Sequence, residues 1–218
     1  MGKVGFTPIQ KLIFDKFAKN EDLRQHFYFT GGTALSVFHF GHRYSDDLDF
    51  FSEEEPNDEI INEFMGKTAQ DLGLTYRFTR IEKTRMFEFI KEKELLAKVD
   101  FGHFPYQRLE KGLRQKGVSI DGLLDIGANK IIAIDQRDDV KDFVDLYFLL
   151  KKFTPWDLIY AVEKKFHRET DILLLGSDFL KTQDFEFLPR MIKPLKLEEL
   201  KKFFREQAIK VGERAVTA

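Results

Sequence analysis

Two aspartates one residue apart stand in the segment Asp47-Leu48-Asp49-Phe50. Side chains two residues apart on a β-strand point to the same face. A strand here therefore presents both carboxylates together and turns Leu48 and Phe50 into apolar surroundings. Two like charges on one face repel each other, and a divalent cation relieves that repulsion. Because hard oxygen ligands suit Mg²⁺, the pattern predicts a Mg²⁺ site on this strand.

A glycine pair, Gly31-Gly32, stands just before Thr33. The pair lies where a predicted strand, residues 27–30, gives way to a predicted helix, residues 33–40. Backbone N–H groups at such a junction can bind a phosphate, and the helix dipole favours the negative charge. A phosphate cradle beside a metal-binding strand indicates nucleotide chemistry.

A third carboxylate, Asp100, lies in the run 95–101, which has strand character. If this strand neighbours the strand of Asp47, Asp100 joins the same metal site, and Val99 and Phe101 face the core by alternation. The alternative is that Asp100 is a strand-end residue that bonds a turn.

Polar groups between the glycine pair and the aspartate strand have two interpretations each. Arg43 has a fork of donors that suits a triphosphate, or it forms a salt bridge to Asp46. Ser45 binds a phosphate or holds the turn before the strand. His39 and His42 are three residues apart, but no cysteine accompanies them, and nearby carboxylates favour Mg²⁺ over zinc.

Charged residues recur in two predicted helices further along the chain. Lys130 and Arg137 are seven residues apart and share a face of an unbroken helix. Asp142 and Asp145 are three apart and are neighbours on the next helix. These aspartates either act in catalysis or form salt bridges, to Arg137 or Lys141, that orient the Lys130 helix. Lys130 itself lies near the core boundary, where a lysine can also snorkel to solvent.

Residues 106–120 are rich in charge and glycine. A basic cluster of Arg108, Lys111, Arg114 and Lys116 suits a nucleic-acid backbone. The alternative for this segment is a flexible loop.

Composition narrows the class of protein. The net charge of −2 gives no overall nucleic-acid signal, and the absence of cysteine excludes disulfides, thiolate metal sites and a cysteine nucleophile. No apolar run reaches the ~18 residues of a membrane span. We expect a cytoplasmic monomer without a membrane partner.

Two motifs in a fixed order resemble a known family. The first is Gly-Gly-Thr-Ala-Leu at 31–35, followed by His42-Arg43, Ser45 and Asp47-Leu48-Asp49-Phe50. The second is a helical pattern, K-x-x-A-x-x-x-R…D-x-x-D-L, matched by Lys130, Ala133, Arg137, Asp142 and Asp145. Together they resemble the AbiEii/AbiGii toxin family of nucleotidyltransferases, a branch of the DNA polymerase β-like superfamily. The resemblance covers the first 150 residues.

The resemblance implies transfer of a nucleoside monophosphate from an NTP to an acceptor hydroxyl, with two Mg²⁺ ions. Asp47, Asp49 and Asp100 would hold the metal, Asp100 would also take the acceptor's proton, and Lys130 would neutralise the phosphates cradled at residues 31–33. It further implies an RNA acceptor, the 3′ end of tRNA, and a toxin of a type IV toxin–antitoxin or abortive-infection pair with a cognate antitoxin. Two alternatives stay open: the same site modifies a protein hydroxyl, or the chain is a non-catalytic nucleotide-binding module that regulates a partner.

The expected fold is α/β (α+β), with a nucleotidyltransferase-like mixed or antiparallel sheet, flanking helices and a helical C-terminal region. Three strand-like runs, 75–82, 85–91 and 95–101, favour antiparallel hairpins. We expect a nucleotidyltransferase core at residues 1–120 and a helical domain at residues 121–218.

Overall fold

One mixed sheet organises the first part of the chain. The computed structural model describes the backbone of residues 5–217 and the side chains of residues 5–213. Within these residues seven strands form one sheet in the order β3-β4-β5-β2-β1-β7-β6. The strands are β1 (Tyr28–Thr30), β2 (Asp47–Ser52), β3 (Thr75–Ile81), β4 (Thr84–Lys91), β5 (Glu94–His103), β6 (Leu113–Gln115) and β7 (Val118–Ile120). The pairs β2/β5 and β1/β7 are parallel and the other pairs are antiparallel, which confirms the predicted fold class.

Helices flank the sheet and make up the C-terminal part of the chain. They are α1 (Pro8–Lys19), α2 (Glu21–His26), α3 (Gly31–Ala34), α4 (Asp58–Leu72), α5 (Leu123–Gln136), α6 (Val140–Leu149), α7 (Pro155–Phe166), α8 (Ile172–Leu180) and α9 (Leu197–Thr217). A π-helical segment, Leu35–Phe40, continues α3, and a 3₁₀ turn, Lys181–Asp184, follows α8. No helix within residues 5–217 has both the length and the apolar character that crossing a bilayer requires.

The second half of the segment before α5 differs from the flexible loop that was one of its two predicted interpretations. Residues 113–120 form a hairpin, in which Leu113 pairs with Ile120 and Gln115 with Val118. Lys116 and Gly117 both have positive φ, 50° and 83°, as the tightest hairpin turns require. A flexible loop is therefore wrong for this part, and Lys116 of the basic cluster lies 2.7 Å from the carboxylate of Asp15.

The chain divides into two compact units. Among the described residues, unit 1 comprises 5–39, 45–107 and 111–121, and unit 2 comprises 40–44, 108–110 and 122–217. Two short segments from the first half thus pack with the C-terminal helices. Arg43 bridges to Met191 in an antiparallel fashion, and the N–H groups of Leu109 and Glu110 donate to Asp125 at 2.9 and 3.1 Å. The predicted division into a core domain, residues 1–120, and a helical domain, residues 121–218, stays a prediction.

The core of unit 1 lies on one face of the sheet and is rich in phenylalanine. The ring of Phe17 on α1 stacks on Phe50 with centroids 4.0 Å apart, and Phe50 stacks on Phe101 at 5.4 Å. Such pairs add about 0.5–1.5 kcal/mol each beyond area burial. Phe50 and Phe101 come from β2 and β5, so the aromatic core fixes which face of these strands points outward.

Candidate active site

The register of two parallel strands brings the predicted carboxylates together. β2 and β5 lie side by side with Asp49 opposite Asp100 and Asp47 opposite Lys98. Side chains at paired positions share a face of the sheet. Since β5 continues to His103, Asp100 is not the strand-end residue of the alternative interpretation. The neighbours that alternate with these groups are fully buried on the opposite face: Leu48, Phe50, Val99 and Phe101.

Asp100 is the most buried of the three carboxylates, with 8% of its surface exposed. Its Oδ2 accepts a charged contact from Lys98 Nζ at 2.9 Å. Its Oδ1 has no hydrogen-bond partner among the described residues. Burial raises the pKa of Asp100 above the ordinary carboxyl value, although Lys98 acts in the other direction. A buried carboxylate oxygen without a donor is a group that needs a ligand or a proton.

Gly31 lies directly against the second aspartate. Its φ is +75°, and a Cβ at this position would stand 2.1 Å from Asp49 Oδ2. The hydroxyl of Thr33 donates to the carbonyl of Asp47 at 2.5 Å. The glycine turn therefore packs on the aspartate strand, and the side chain of Thr33 holds that strand in place.

We expect Gly31→Ala to abolish the nucleotidyl transfer that the family resemblance implies and to lower stability by about 1–2 kcal/mol, because a Cβ at positive φ is strained and collides with Asp49. Gly73→Ala is the matched control, since Gly73 has φ +64° and nothing within 4 Å of an added Cβ. It should show the strain without the loss of activity. The measurements are urea unfolding and transfer of label from NTP. Full activity of the Gly31 variant would contradict the close approach.

The side chains on this face offer the type of ligand atom that suits a divalent cation. Within residues 5–217, no three His, Cys, Asp or Glu side chains already stand as a formed metal-binding group. The two strands nevertheless supply carboxylate oxygens of the kind that Mg²⁺ prefers, and Asp100 Oδ1 is an acceptor without a donor. In the structure the positive charge in contact with Asp100 is the ammonium of Lys98.

A second cluster of charges lies inside unit 2 and centres on Asp145. This carboxylate is fully buried and accepts from His42 Nε2 at 2.7 Å, from Arg43 through Nε and Nη2, both at 2.7 Å, and from Lys130 Nζ at 2.6 Å. Burial favours the neutral form of Asp145, but Lys130, Arg43 and His42 outweigh it and hold its pKa well below the ordinary value. The cluster is a buried, charged brace between residues that are far apart in sequence.

Lys130 is shared between two carboxylates. Its Nζ lies 2.6 Å from Asp142 Oδ1 as well as 2.6 Å from Asp145 Oδ2. Burial opposes the charge on Lys130, but the two aspartates overcome this and raise its pKa. Arg137 donates to Asp142 through Nε at 2.7 Å, which is one of the two arrangements that the sequence allowed. Lys130 is therefore a firmly charged group that these carboxylates position.

The structure changes the assignment of Arg43. Its guanidinium is 2% exposed, is bidentate to Asp145, and donates from Nη1 to the carbonyl of Tyr44 at 3.0 Å. Since these donors are already used inside unit 2, we do not retain Arg43 as a triphosphate contact. Its partner Asp145 lies 102 positions away in the chain, so spacing alone favoured the nearer Asp46.

The remaining polar candidates have structural partners. His39 Nε2 lies 3.0 Å from the carbonyl of Asp121, and His42 is bound to Asp145. The carbonyl of Ser45 accepts from Gln10 on α1 at 2.9 Å, which holds the start of β2. Lys98 lies outside both sequence motifs, although its position two residues before Asp100 on the same strand puts it on the same face.

Comparison with known proteins gives the chain its family. The profile described as "Nucleotidyl transferase AbiEii toxin, Type IV TA system" matches residues 13–216. An uncharacterized protein of Aquifex aeolicus is 30% identical over 190 residues, which cover 83% of this chain and 85% of the relative.

Two solved structures share the fold. JHP933 from Helicobacter pylori has a TM-score of 0.57 and 20% identity, over 96% of this chain and 93% of that one. MenT4, a nucleotidyltransferase toxin from Mycobacterium tuberculosis H37Rv, has a TM-score of 0.54 and 16% identity, over 94% of this chain and 84% of that one. Because the family profile spans nearly its whole length, this chain belongs to the AbiEii family of nucleotidyltransferase toxins and is a nucleotidyltransferase.

Proposed function

We propose that the protein transfers a nucleoside monophosphate from an NTP to a hydroxyl of an RNA acceptor, the 3′ end of a tRNA, in a reaction that depends on Mg²⁺. The observation that carries this proposal is the pairing of Asp49 with Asp100 across β2 and β5, with the backbone of Gly31 against Asp49. Carboxylates of two strands and a glycine turn then meet on one face of unit 1.

Each residue has a part in the proposed reaction. Asp47, Asp49 and Asp100 would hold two Mg²⁺ ions, which neutralise charge on the phosphates and on the attacking and leaving oxygens. The acceptor oxygen bonds to the α-phosphorus as the bond to pyrophosphate breaks. Asp100, whose pKa burial raises, is suited to take the acceptor's proton. The backbone of Gly31 and Gly32 would face the β- and γ-phosphates.

The charged cluster of unit 2 has a positioning part in this proposal. Asp142 and Asp145 keep Lys130 charged and in place, and the family resemblance assigns to Lys130 the neutralisation of the phosphates. Arg137 supports Asp142. Ser45 stays a proposed phosphate contact through its hydroxyl. Because an NTP and a tRNA are cytoplasmic substrates, we propose that the protein is cytoplasmic. We further propose that it is a monomeric toxin, which a cognate antitoxin restrains in a type IV pair.

The test incubates the purified protein with Mg²⁺, total RNA and each α-labelled NTP, beside an Asp47→Ala/Asp49→Ala double variant. Label on small RNA with the wild type only is the expected result. The matching γ-labelled NTP should leave no label on RNA, because pyrophosphate departs. Label on protein would instead favour modification of a protein hydroxyl. Bound nucleotide without transfer to any acceptor would favour the regulatory binding module.

A further inference from the structure

A lysine lies among the three carboxylates of the candidate site. Lys98 precedes Asp100 by two residues on β5 and stands opposite Asp47 in the register, so all of these groups share a face. Its Nζ is 2.9 Å from Asp100 Oδ2, and 26% of its side chain is exposed. Burial opposes its charge, but Asp100, followed by Asp47 and Asp49, raises its pKa. A lysine amine is an ammonium at neutral pH, and at this position it faces an acidic cluster.

The negative charge of such a cluster needs a positive partner whether or not a metal ion is bound. Carboxylates that share a site raise each other's free energy in the ionised state, and a buried charge without a partner is destabilising. The Lys98 ammonium supplies a positive charge at the most buried member, Asp100. Lys98 holds Oδ2 of this carboxylate, so a divalent cation that binds Asp100 through Oδ1, which has no donor among the described residues, meets a like charge on the same group and repels it.

We propose that Lys98 is an internal counter-ion that stabilises the carboxylate cluster in the metal-free protein and that a divalent cation displaces from Asp100 when it binds. The inference rests on the proposed function, since it takes the cluster to be the cation site. A tethered ammonium is a competitor that never diffuses away, so it weakens the binding of metal alone. Its release leaves a positive charge beside Asp47, where the negative charge of an incoming nucleotide can meet it.

Consequently, metal and nucleotide should bind cooperatively. A nucleotide that engages the released ammonium favours the displaced state, and by linkage it must strengthen metal binding by the same factor by which metal strengthens nucleotide binding. Without the charge at position 98 this part of the coupling disappears. Lys98 is thus a positioning residue for the metal site, and its effect should be visible in binding, without turnover.

The experiment measures Mn²⁺ binding to the full-length protein by the electron paramagnetic resonance signal of free Mn²⁺. Lys98→Met keeps the length of the side chain and removes the charge, and we expect its Kd for Mn²⁺ to fall about tenfold, which corresponds to about 1.4 kcal/mol. Lys98→Arg should bind like the wild type because it keeps the charge. Lys11→Met is the matched control, since Lys11 is an exposed lysine that pairs with Asp15 on α1, the helix that packs on the opposite face of the sheet; its Kd should not change.

The outcomes separate this inference from the proposed function. Mn²⁺ binding by the wild type with an equal or weaker affinity in Lys98→Met would overturn the counter-ion role and leave the metal site standing. No Mn²⁺ binding by either protein would overturn the metal site itself, and with it the role of Lys98. A second measurement uses the wild type alone: the side-chain NMR signal of Lys98, assigned by its loss in Lys98→Arg, should shift on addition of Mg²⁺, and an unchanged signal contradicts displacement.

Discussion

Replacing Asp100 by asparagine is expected to lower the rate of nucleotidyl transfer by about 10²- to 10⁴-fold, the usual contribution of a positioned acid or base, without loss of thermal stability. Asn keeps the shape of the side chain but neither takes a proton nor offers two anionic oxygens to a metal. The measurement is transfer of α-labelled NTP under single-turnover conditions, beside a melting curve of the metal-free protein.

Burial explains why stability should survive this change. The pKa of Asp100 is raised, which means that the folded state disfavours its ionised form. The ionised form of Asp100 therefore costs stability in the folded protein, and Asn removes that cost. When the removal of a buried group spares stability but ends activity, the group typically belongs to a site that binds a ligand or a metal ion.

Asp46→Asn is the matched control for this prediction. Asp46 is exposed and immediately precedes β2, so the substitution changes the same functional group near the site but outside the carboxylate face. We expect its rate to stay within about twofold of the wild type, as for most surface changes. Equal losses in the two variants would mean that net charge, and not the position of Asp100, governs the rate.

The second large effect concerns the folding of unit 2. We expect Asp145→Asn to lower the free energy of unfolding by about 3–5 kcal/mol, because it leaves Lys130 and Arg43 buried without their shared carboxylate. Guanidinium unfolding followed by circular dichroism measures the loss. Asp135→Asn removes a half-buried partner of the exposed Arg168, at 3.2 Å, and should change the same free energy by less than about 1 kcal/mol. A small effect of Asp145→Asn would show that the brace is dispensable.

The same carboxylate predicts how stability depends on pH. Asp145 has a pKa well below the ordinary 3.8, and a carboxyl whose pKa is depressed by folding stabilises the protein above its unfolded pKa. That contribution is lost as the pH falls below 3.8 towards the folded value. The wild type should therefore lose stability in this acidic range more steeply than Asp145→Asn does. Parallel acid-unfolding curves for the two proteins would contradict this assignment.

The two units give the family motif an unexpected division. The glycine pair and the aspartates 47 and 49 belong to unit 1, whereas residues 40–44, which lie between them in the chain, belong to unit 2. The side chains of His42 and Arg43 therefore donate to Asp145. The backbone is also held in unit 2, because the carbonyl of His42 accepts from the N–H of Ile192 at 2.9 Å. A contiguous motif thus supports two different structures, a carboxylate face and a buried charged brace.

Alternation and capping let the sequence by itself determine the elements and the face of each strand. The alternation of Asp47 and Asp49 with Leu48 and Phe50 indicates a strand where β2 lies, because a strand has a side-chain period of two. Thr7 caps α1 and Pro8 occupies its first turn, a start signal that is local to the sequence. The Lys116-Gly117 turn was missed, since a three-residue strand on either side is too short to show periodicity.

Only the tertiary structure decided which elements meet. Strand order and register set Asp100 opposite Asp49 and put Lys98 beside Asp47, and no local pattern contains that information, because register depends on how the whole apolar face packs. For the same reason Arg43 has Asp145 as its partner, 102 residues away. The sequence determined which side chains are able to do chemistry, and long-range packing determined which of them face each other and which are held in the interior by charge.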